Sequence, residues 1–295
     1  MNKKIKTIIF SKNRPNQLEC LIRSLNDNST IFNDLYILYK FTNEEYKEGY
    51  DKLKSQIYAS IGERRIYFYE ENEEGFKNNL NELLQLNREK YDYLCFMVDD
   101  QIMYQKLEDE DKILDSISDD VLCFSLRLGY NINYRHLTDS YFPCPMCENL
   151  MNGSFIKWNW REYGMESDFG YPFTVDGNIY KYEDILNLIS PLKYTNPNTL
   201  EASLYIQINF PKNYMISYEH SKMVNLPINR VQESYKLNPM FNNKFGLKVN
   251  ISEKELNDKF LNGEIIDYEK MDYSGVNSCH CELPLVFKKE YENNK

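Results

Sequence analysis

At 295 residues the chain is long enough for one large α/β domain or two small ones, and its 42% hydrophobic and 27% charged residues exclude a disordered or fibrous polymer. A formal net charge of −10 repels phosphate backbones at long range, which sets nucleic acid aside as a partner and disfavours anionic lipid. With no run of about 18 apolar residues, no transmembrane segment is expected.

The first residues, Met1-Asn2-Lys3-Lys4, are basic. The apolar run behind them, residues 5–10, is short and broken by Lys6 and Thr7, which makes a poor signal peptide. A cytoplasmic location follows as the expectation, with the 7 Cys as reduced thiols. The 25 Tyr suit the walls of a polar cleft, although Asn, Lys and Ile are abundant beside them, as in a compositional bias.

In chain order, strand and helix signals alternate. Residues 6–10 form a β-rich run, and Ser11-Lys12-Asn13-Arg14-Pro15 a polar turn. Residues 16–25 place Leu18, Leu21, Ile22 and Leu25 on one helical face. A second strand spans 35–39, a helix 44–61 and a third strand 65–69. A helix follows over 76–86, then a strand over 93–98 that is apolar throughout, as in a parallel sheet covered on both faces. This alternation predicts an α/β, Rossmann-like sheet flanked by helices. Ligands in such sheets bind beyond the carboxyl ends of the strands. Two polar clusters fall there, Ser11 to Arg14 and Asp99-Asp100-Gln101.

The second half changes texture near residue 130. One more strand covers 121–129. Residues 130–170 are loop-rich and lead to Tyr171-Pro172 and Asp176-Gly177. A helix follows over 181–189, and Asn196-Pro197-Asn198-Thr199-Leu200-Glu201 reads as a capped helix start. A last helix covers 253–262 in an irregular C-terminal region. The halves 1–130 and 131–295 are expected to bind different ligands within one continuous domain.

Asp99 and Asp100 are the strongest chemical feature. Adjacent carboxylates at a strand end repel one another, and a divalent cation removes that cost. Mn²⁺ or Mg²⁺ would bind through one or two carboxylates together with substrate phosphate oxygens. Taken alone, the pair is better explained as an exposed acidic turn; its placement behind a fully apolar strand is what favours the cation.

Together these segments resemble glycosyltransferases of the GT-A fold, particularly those similar to family 2. The resemblance rests on a first strand followed by Ser-Lys-Asn-Arg-Pro-Asn-Gln-Leu and on a later apolar strand ending in Asp-Asp. It extends to Phe124-Ser125-Leu126-Arg127-Leu128-Gly129, Asp176-Gly177 and the stretch from Asn196 to Glu201, and it spans residues 5–235. It implies transfer of a sugar from a nucleotide-sugar donor (UDP- or GDP-sugar) to a glycan or other hydroxyl acceptor, with inversion. The matching Asp-any-Asp triplet is Val98-Asp99-Asp100, with its first acid lost. Asp100 then matches the metal ligand and Asp99 the acid facing ribose or sugar hydroxyls. Ser11 and Arg14 match the turn that holds the nucleoside, and Arg127 joins them as a donor-binding candidate.

An inverting reaction needs a base. Glu201, in the first turn of its predicted helix, is the leading choice, held ionised by the helix dipole. Asp176 competes, or binds substrate hydroxyls. His280 is a candidate metal ligand, and His220 a weaker one. Cys144-Pro145-Met146-Cys147 and Cys279-His280-Cys281 offer a zinc reading beside that of free thiols. Trp158 and Trp160 offer either a sugar-stacking platform or core. A nucleotidyltransferase would place glycine in the turn from Ser11 to Asn16, which has none. A non-catalytic sugar-binding protein of the same fold is the other alternative.

Overall fold

The structure is a computed structural model, and it describes residues 3–60, 64–164, 166–206, 209–229 and 251–290. The first half follows the predicted alternation: β1 (Ile5–Lys12), α1 (Pro15–Asn28), β2 (Asp34–Lys40), α2 (Glu44–Ser60), β3 (Arg65–Glu70), α3 (Phe76–Gln85) and β4 (Tyr93–Val98). Then come β5 (Gln101–Met103), α4 (Glu110–Ser116), β6 (Val121–Ser125), β7 (Tyr134–Arg135), β8 (Ser140–Tyr141), β9 (Glu148–Leu150) and β10 (Phe155–Asn159). The remainder contains β11 (Asn178–Lys181), α5 (Tyr182–Ile189), α6 (Pro197–Tyr205), β12 (Tyr214–Tyr218), β13 (Met223–Asn225), α7 (Glu253–Leu261), β14 (Glu264–Ile266) and β15 (Phe287–Lys289). Residue 61, at the end of the predicted second helix, lies outside the described residues, as do residues 230–235 of the resemblance.

One nine-stranded mixed sheet runs β3-β2-β1-β4-β11-β6-β12-β10-β9, with strands from both sides of residue 130. The first four are parallel. Alternation along them feeds two cores. Ile5, Ile9, Tyr93, Cys95 and Met97 pack on one face with α1, α2 and α7. Ile8, Phe10, Leu94 and Phe96 pack on the other with α3, α5 and α6. This is why β4 is apolar throughout.

α1 begins with Pro15 at its first position and has no side-chain cap. Its hold is the buried stripe Leu18, Leu21, Ile22 and Leu25, each contributing about 1.5–3 kcal/mol by burial. α7 starts instead from a capping box, Ser252 with Glu255. It packs closely on α2 at Gly49, where a Cβ would stand 2.2 Å from Asn257 Oδ1.

The central strand β11 is the departure from a wholly parallel sheet. It runs antiparallel to both β4 and β6. Its amino end therefore lies at the edge where β1, β4 and β6 present their carboxyl ends. Gly177 N donates to Phe96 O at 2.7 Å, and Leu126 N to Gly177 O at 3.1 Å. Gly177 has φ +76, and a Cβ there would stand 2.8 Å from Met223 Sδ. This turn carries Asp176 to the strand ends.

Among the described residues no helix is long and apolar enough to cross a membrane.

Candidate active site

A cleft of about 680 Å³ opens at this edge. Ser11, Arg14, Asp99, Asp100, Arg127, Asp176, Glu201 and His280 all line it, although they are spread over some 270 residues of chain. The topology explains the meeting. β1 and β4 are neighbours where the strand order reverses, and such a switch point leaves a crevice at the carboxyl ends.

On one side, the turn after β1 is tied to the end of β4. Asp99 is 3% exposed. Its Oδ1 accepts from Arg14 Nη1 at 3.0 Å and its Oδ2 from Lys12 N at 3.1 Å. Burial pushes the Asp99 carboxyl upward, while Arg14 and the Lys12 amide pull the other way. Burial also works against the Arg14 charge, but the two aspartates overcome it and hold Arg14 above its usual value. These shifts favour opposite proton positions. Both Asp99 oxygens face N–H donors at hydrogen-bond distance, so the pair is ionic. Arg14 also reaches Asp100 Oδ2 at 3.4 Å and donates to the Asn229 carbonyl. Ser11 Oγ bonds Tyr50 OH at 2.6 Å, so its hydroxyl is engaged within the protein.

Asp100 is differently placed. Asn225 Nδ2 donates to its Oδ1 at 3.1 Å, and its side chain keeps 17% exposure. Burial raises its pKa to about 7; Arg14 opposes the rise, while Asp99 and Asp176 add to it. This carboxylate is short of positive charge.

On the other side, Arg127 is the centre. Its Nη1 lies 3.1 Å from Asp176 Oδ2 and 3.1 Å from Asn225 Oδ1, and its Nη2 donates to Thr174 Oγ1 at 3.1 Å. Burial works against this charge too, yet Asp176 holds it above its usual range. Asn225, 2% exposed on β13, joins the two sides by accepting from Arg127 and donating to Asp100.

Glu201 requires a correction. α6 starts from a capping box of Asn196 and Thr199, with Pro197 at the first position and no acid in the first turn. Glu201 lies one turn further in, where the dipole has faded. Its Oε1 accepts from Val175 N at 3.2 Å. Burial and the Asp176 charge raise it to about 7, with Thr174 and Arg127 opposing. It is poised near neutrality rather than held ionised.

His280 Nε2 lies 3.8 Å from Asp176 Oδ2. Burial, then the Arg127 charge, lower its pKa below the usual value, so the ring is neutral. A bridge between Asn225 and His280 fixes its backbone.

No group of three or more His, Cys, Asp or Glu able to hold a metal ion occurs among the described residues. The two cysteine pairs therefore do not build a zinc site there; all seven thiols are free. A cation at Asp100 would need substrate oxygens for the rest of its shell. The tryptophans are core: Trp158 and Trp160 are 1% and 2% exposed, and their indole N–H groups donate to Phe169 O at 3.0 Å and Lys212 O at 2.9 Å. His220 is exposed and lies outside the cleft lining. Sequence reading missed Tyr50, Thr174, Asn225 and Asn229. None belongs to a motif; each is found only through what it touches.

No protein-family profile matches the chain. It is 28% identical over 290 residues to the bifunctional glycosyltransferase pgtA of Dictyostelium discoideum, a match covering 86% of this chain and 36% of that protein. The chain thus spans about a third of the length of this curated relative. Among solved structures, S. aureus TarS aligns with a TM-score of 0.45 at 12% identity, covering 88% of this chain and 42% of that one. A 4-diphosphocytidyl-2C-methyl-D-erythritol synthase of Anaerococcus prevotii aligns at 0.40 and 11% identity, covering 79% and 93%. The match along most of the chain bears out the resemblance carried by the Ser11 to Arg14 turn and the Asp99-Asp100 pair: this chain is a relative of a glycosyltransferase, with a mixed α/β sheet flanked by helices.

Proposed function

We propose that the chain moves a sugar from a nucleotide-sugar donor to an acceptor hydroxyl, with inversion, in glycan synthesis. One observation carries the reading. Four carboxylates, Asp99, Asp100, Asp176 and Glu201, meet two guanidiniums, Arg14 and Arg127, on the wall of one cleft at the sheet's switch point. Two of those carboxylates are pushed to about 7. Such an uncompensated acidic surface suits a divalent cation and a hydroxyl that must lose a proton.

The donor set fits Mn²⁺ or Mg²⁺. Asp100 is a hard oxygen ligand in deficit of positive charge, and these cations commonly bind through one carboxylate with substrate diphosphate oxygens. Asp100 would hold the cation, with Asp99 anchoring Arg14 beside it rather than ligating directly. When bound, the cation neutralises charge on the departing diphosphate. The chain's own residues do the rest. Arg14 and the turn after β1 orient the nucleoside end. Arg127 fixes Asp176 to receive substrate hydroxyls. Glu201, poised near neutrality, accepts the acceptor proton as its oxygen attacks the anomeric carbon. Neutral His280 stands beside Asp176 as a donor or acceptor to the sugar.

The test is turnover of UDP- and GDP-sugars by purified protein, with and without Mn²⁺. Release of nucleoside diphosphate, abolished in Asp100→Ala, is expected. No turnover and no binding of any of these donors would refute the proposal.

A further inference from the structure

Three guanidiniums line the cleft: Arg14, Arg127 and Arg135. The first two spend their forks on protein partners. Arg14 meets Asp99, Asp100 and the Asn229 carbonyl. Arg127 meets Asp176, Asn225 and Thr174. Arg135 does not. Its Nε stands 3.6 Å from Asp168 Oδ1, a loose contact, and among the described residues neither Nη1 nor Nη2 has a hydrogen-bond partner. Yet the residue is only 8% exposed. A guanidinium carries five N–H donors, and no nitrogen of Arg135 is among the fully buried side-chain atoms without a partner, so its open donors face the cleft.

The backbone holds it there. Arg135 ends β7 and pairs with Ser140 of β8. Asn133 N and Tyr134 N both donate to Asn277 O, at 2.9 and 3.0 Å, and Phe142 N closes the hairpin on Asn133 O at 2.9 Å. The backbone is therefore fixed, and the side chain lines the cleft. Tyr171, another residue of the cleft lining, stacks on Tyr205 of α6 with ring centroids 5.2 Å apart. Tyr171 lies within electrostatic reach of Glu201, Asp176 and Arg135 together. Arg135 thus lines the cleft in the company of Tyr171, Asp176 and Glu201, and is not among the main charges that act on Asp99 or Asp100.

We propose that Arg135 binds an oxyanion, a phosphate or carboxylate, on the acceptor, so that the acceptor is an acidic molecule. A planar fork with two open nitrogens matches the two oxygens of such a group. Asp168, loosely paired, orients the guanidinium without occupying it. The proposal rests on the reading of Glu201 as the acceptor-side base.

The experiment titrates inorganic phosphate into protein already saturated with a nucleoside diphosphate, UDP or GDP, and reads the melting temperature and binding heat. Saturable phosphate binding to the nucleotide-loaded wild type is expected. Arg135→Gln weakens it at least tenfold and leaves nucleoside diphosphate affinity within twofold. Arg135→Lys falls between, since an ammonium keeps the charge and loses the fork; it also carries the test should the Gln variant fail to fold. Equal phosphate binding in wild type and Arg135→Gln overturns the proposal, as does no phosphate binding at all. A tenfold loss of nucleoside diphosphate affinity in Arg135→Gln overturns it too, by giving the fork to the donor's diphosphate. Should neither nucleotide bind the wild type, the glycosyltransferase reading fails, and phosphate titration of the free protein still decides for or against the oxyanion site at Arg135.

Discussion

The two sides of the cleft are built on different principles. On the proposed donor side, Arg14 and Asp99 close each other's needs, and the turn after β1 is stapled to β4 by the Lys12 amide. Only Asp100 is left short of charge. On the proposed acceptor side, Thr174, Val175, Asp176 and Glu201 come from a loop and a helix; Asp176 pairs with the buried Arg127, while Glu201 accepts from Val175 N. The first arrangement is a rigid ion pair with one vacancy for positive charge. The second places Glu201, raised to about 7 by desolvation and the Asp176 charge, beside an Asp176 held by Arg127.

The comparison is broken or sharpened by variants on either side. Asp100→Ala is expected to cost the most, about 10³-fold in kcat, because several kcal/mol of leaving-group stabilisation vanish. A loss below tenfold would show that the donor side works without it. Glu201→Gln should lower kcat by about 10²–10⁴-fold while donor affinity changes little. The wild-type rate should also rise with pH on a limb near 7, since Glu201 must be deprotonated to accept the proton and its pKa is raised to about 7. A limb near the ordinary Glu value of about 4.3 would contradict a carboxyl raised by desolvation in the cleft wall and by the Asp176 charge. Arg127→Lys, which loses the fork to Asp176 and Thr174, should cost about 10–100-fold in kcat.

Stability separates the sides further. Asp100 has a folded pKa above its unfolded value, so its contribution to stability is present below about pH 4 and is lost as pH rises through about 7. Asp100→Asn should therefore raise the cation-free melting temperature at pH 8 by a few degrees and leave that at pH 4 nearly unchanged. An equal gain at both values would exclude the titration of Asp100 as the cause. The smallest kinetic effect belongs to Trp158→Phe. Losing its indole bond to Phe169 O should cost about 1–3 kcal/mol of stability and leave kcat and KM unchanged.

Legibility in the sequence follows the same division. β1 to β4 and α1 to α3 stand within three residues of their predicted bounds, because long apolar strands and amphipathic helices carry their own period. Arg14, Asp99 and Asp100 sit at the ends of those strands and could be read as a cluster. β11 could not: four residues, Asn178–Lys181, lead straight into α5, and only pairing with β4 and β6 makes them a strand. The misplacement of Glu201 has a local cause. Asn196 and Pro197 do open the helix, but counting from the cap puts residue 201 beyond the first turn, and its pKa is set by Asp176 and burial, which are tertiary facts. Asn225 and Arg135 carry no motif, and their roles depend on which groups they leave satisfied or open.

In the proposed function the cleft binds a nucleotide-sugar at Asp100, beside the turn that the Arg14–Asp99 pair holds in place. Isothermal titration of UDP- and GDP-sugars into wild type, Asp100→Asn and Arg14→Ala, each with and without Mn²⁺, tests it most directly. The account predicts Mn²⁺-dependent binding by the wild type, loss of the Mn²⁺ dependence in Asp100→Asn, and at least tenfold weaker binding in Arg14→Ala. Equal binding by all three proteins, or Mn²⁺-dependent binding that survives in Asp100→Asn, would contradict it.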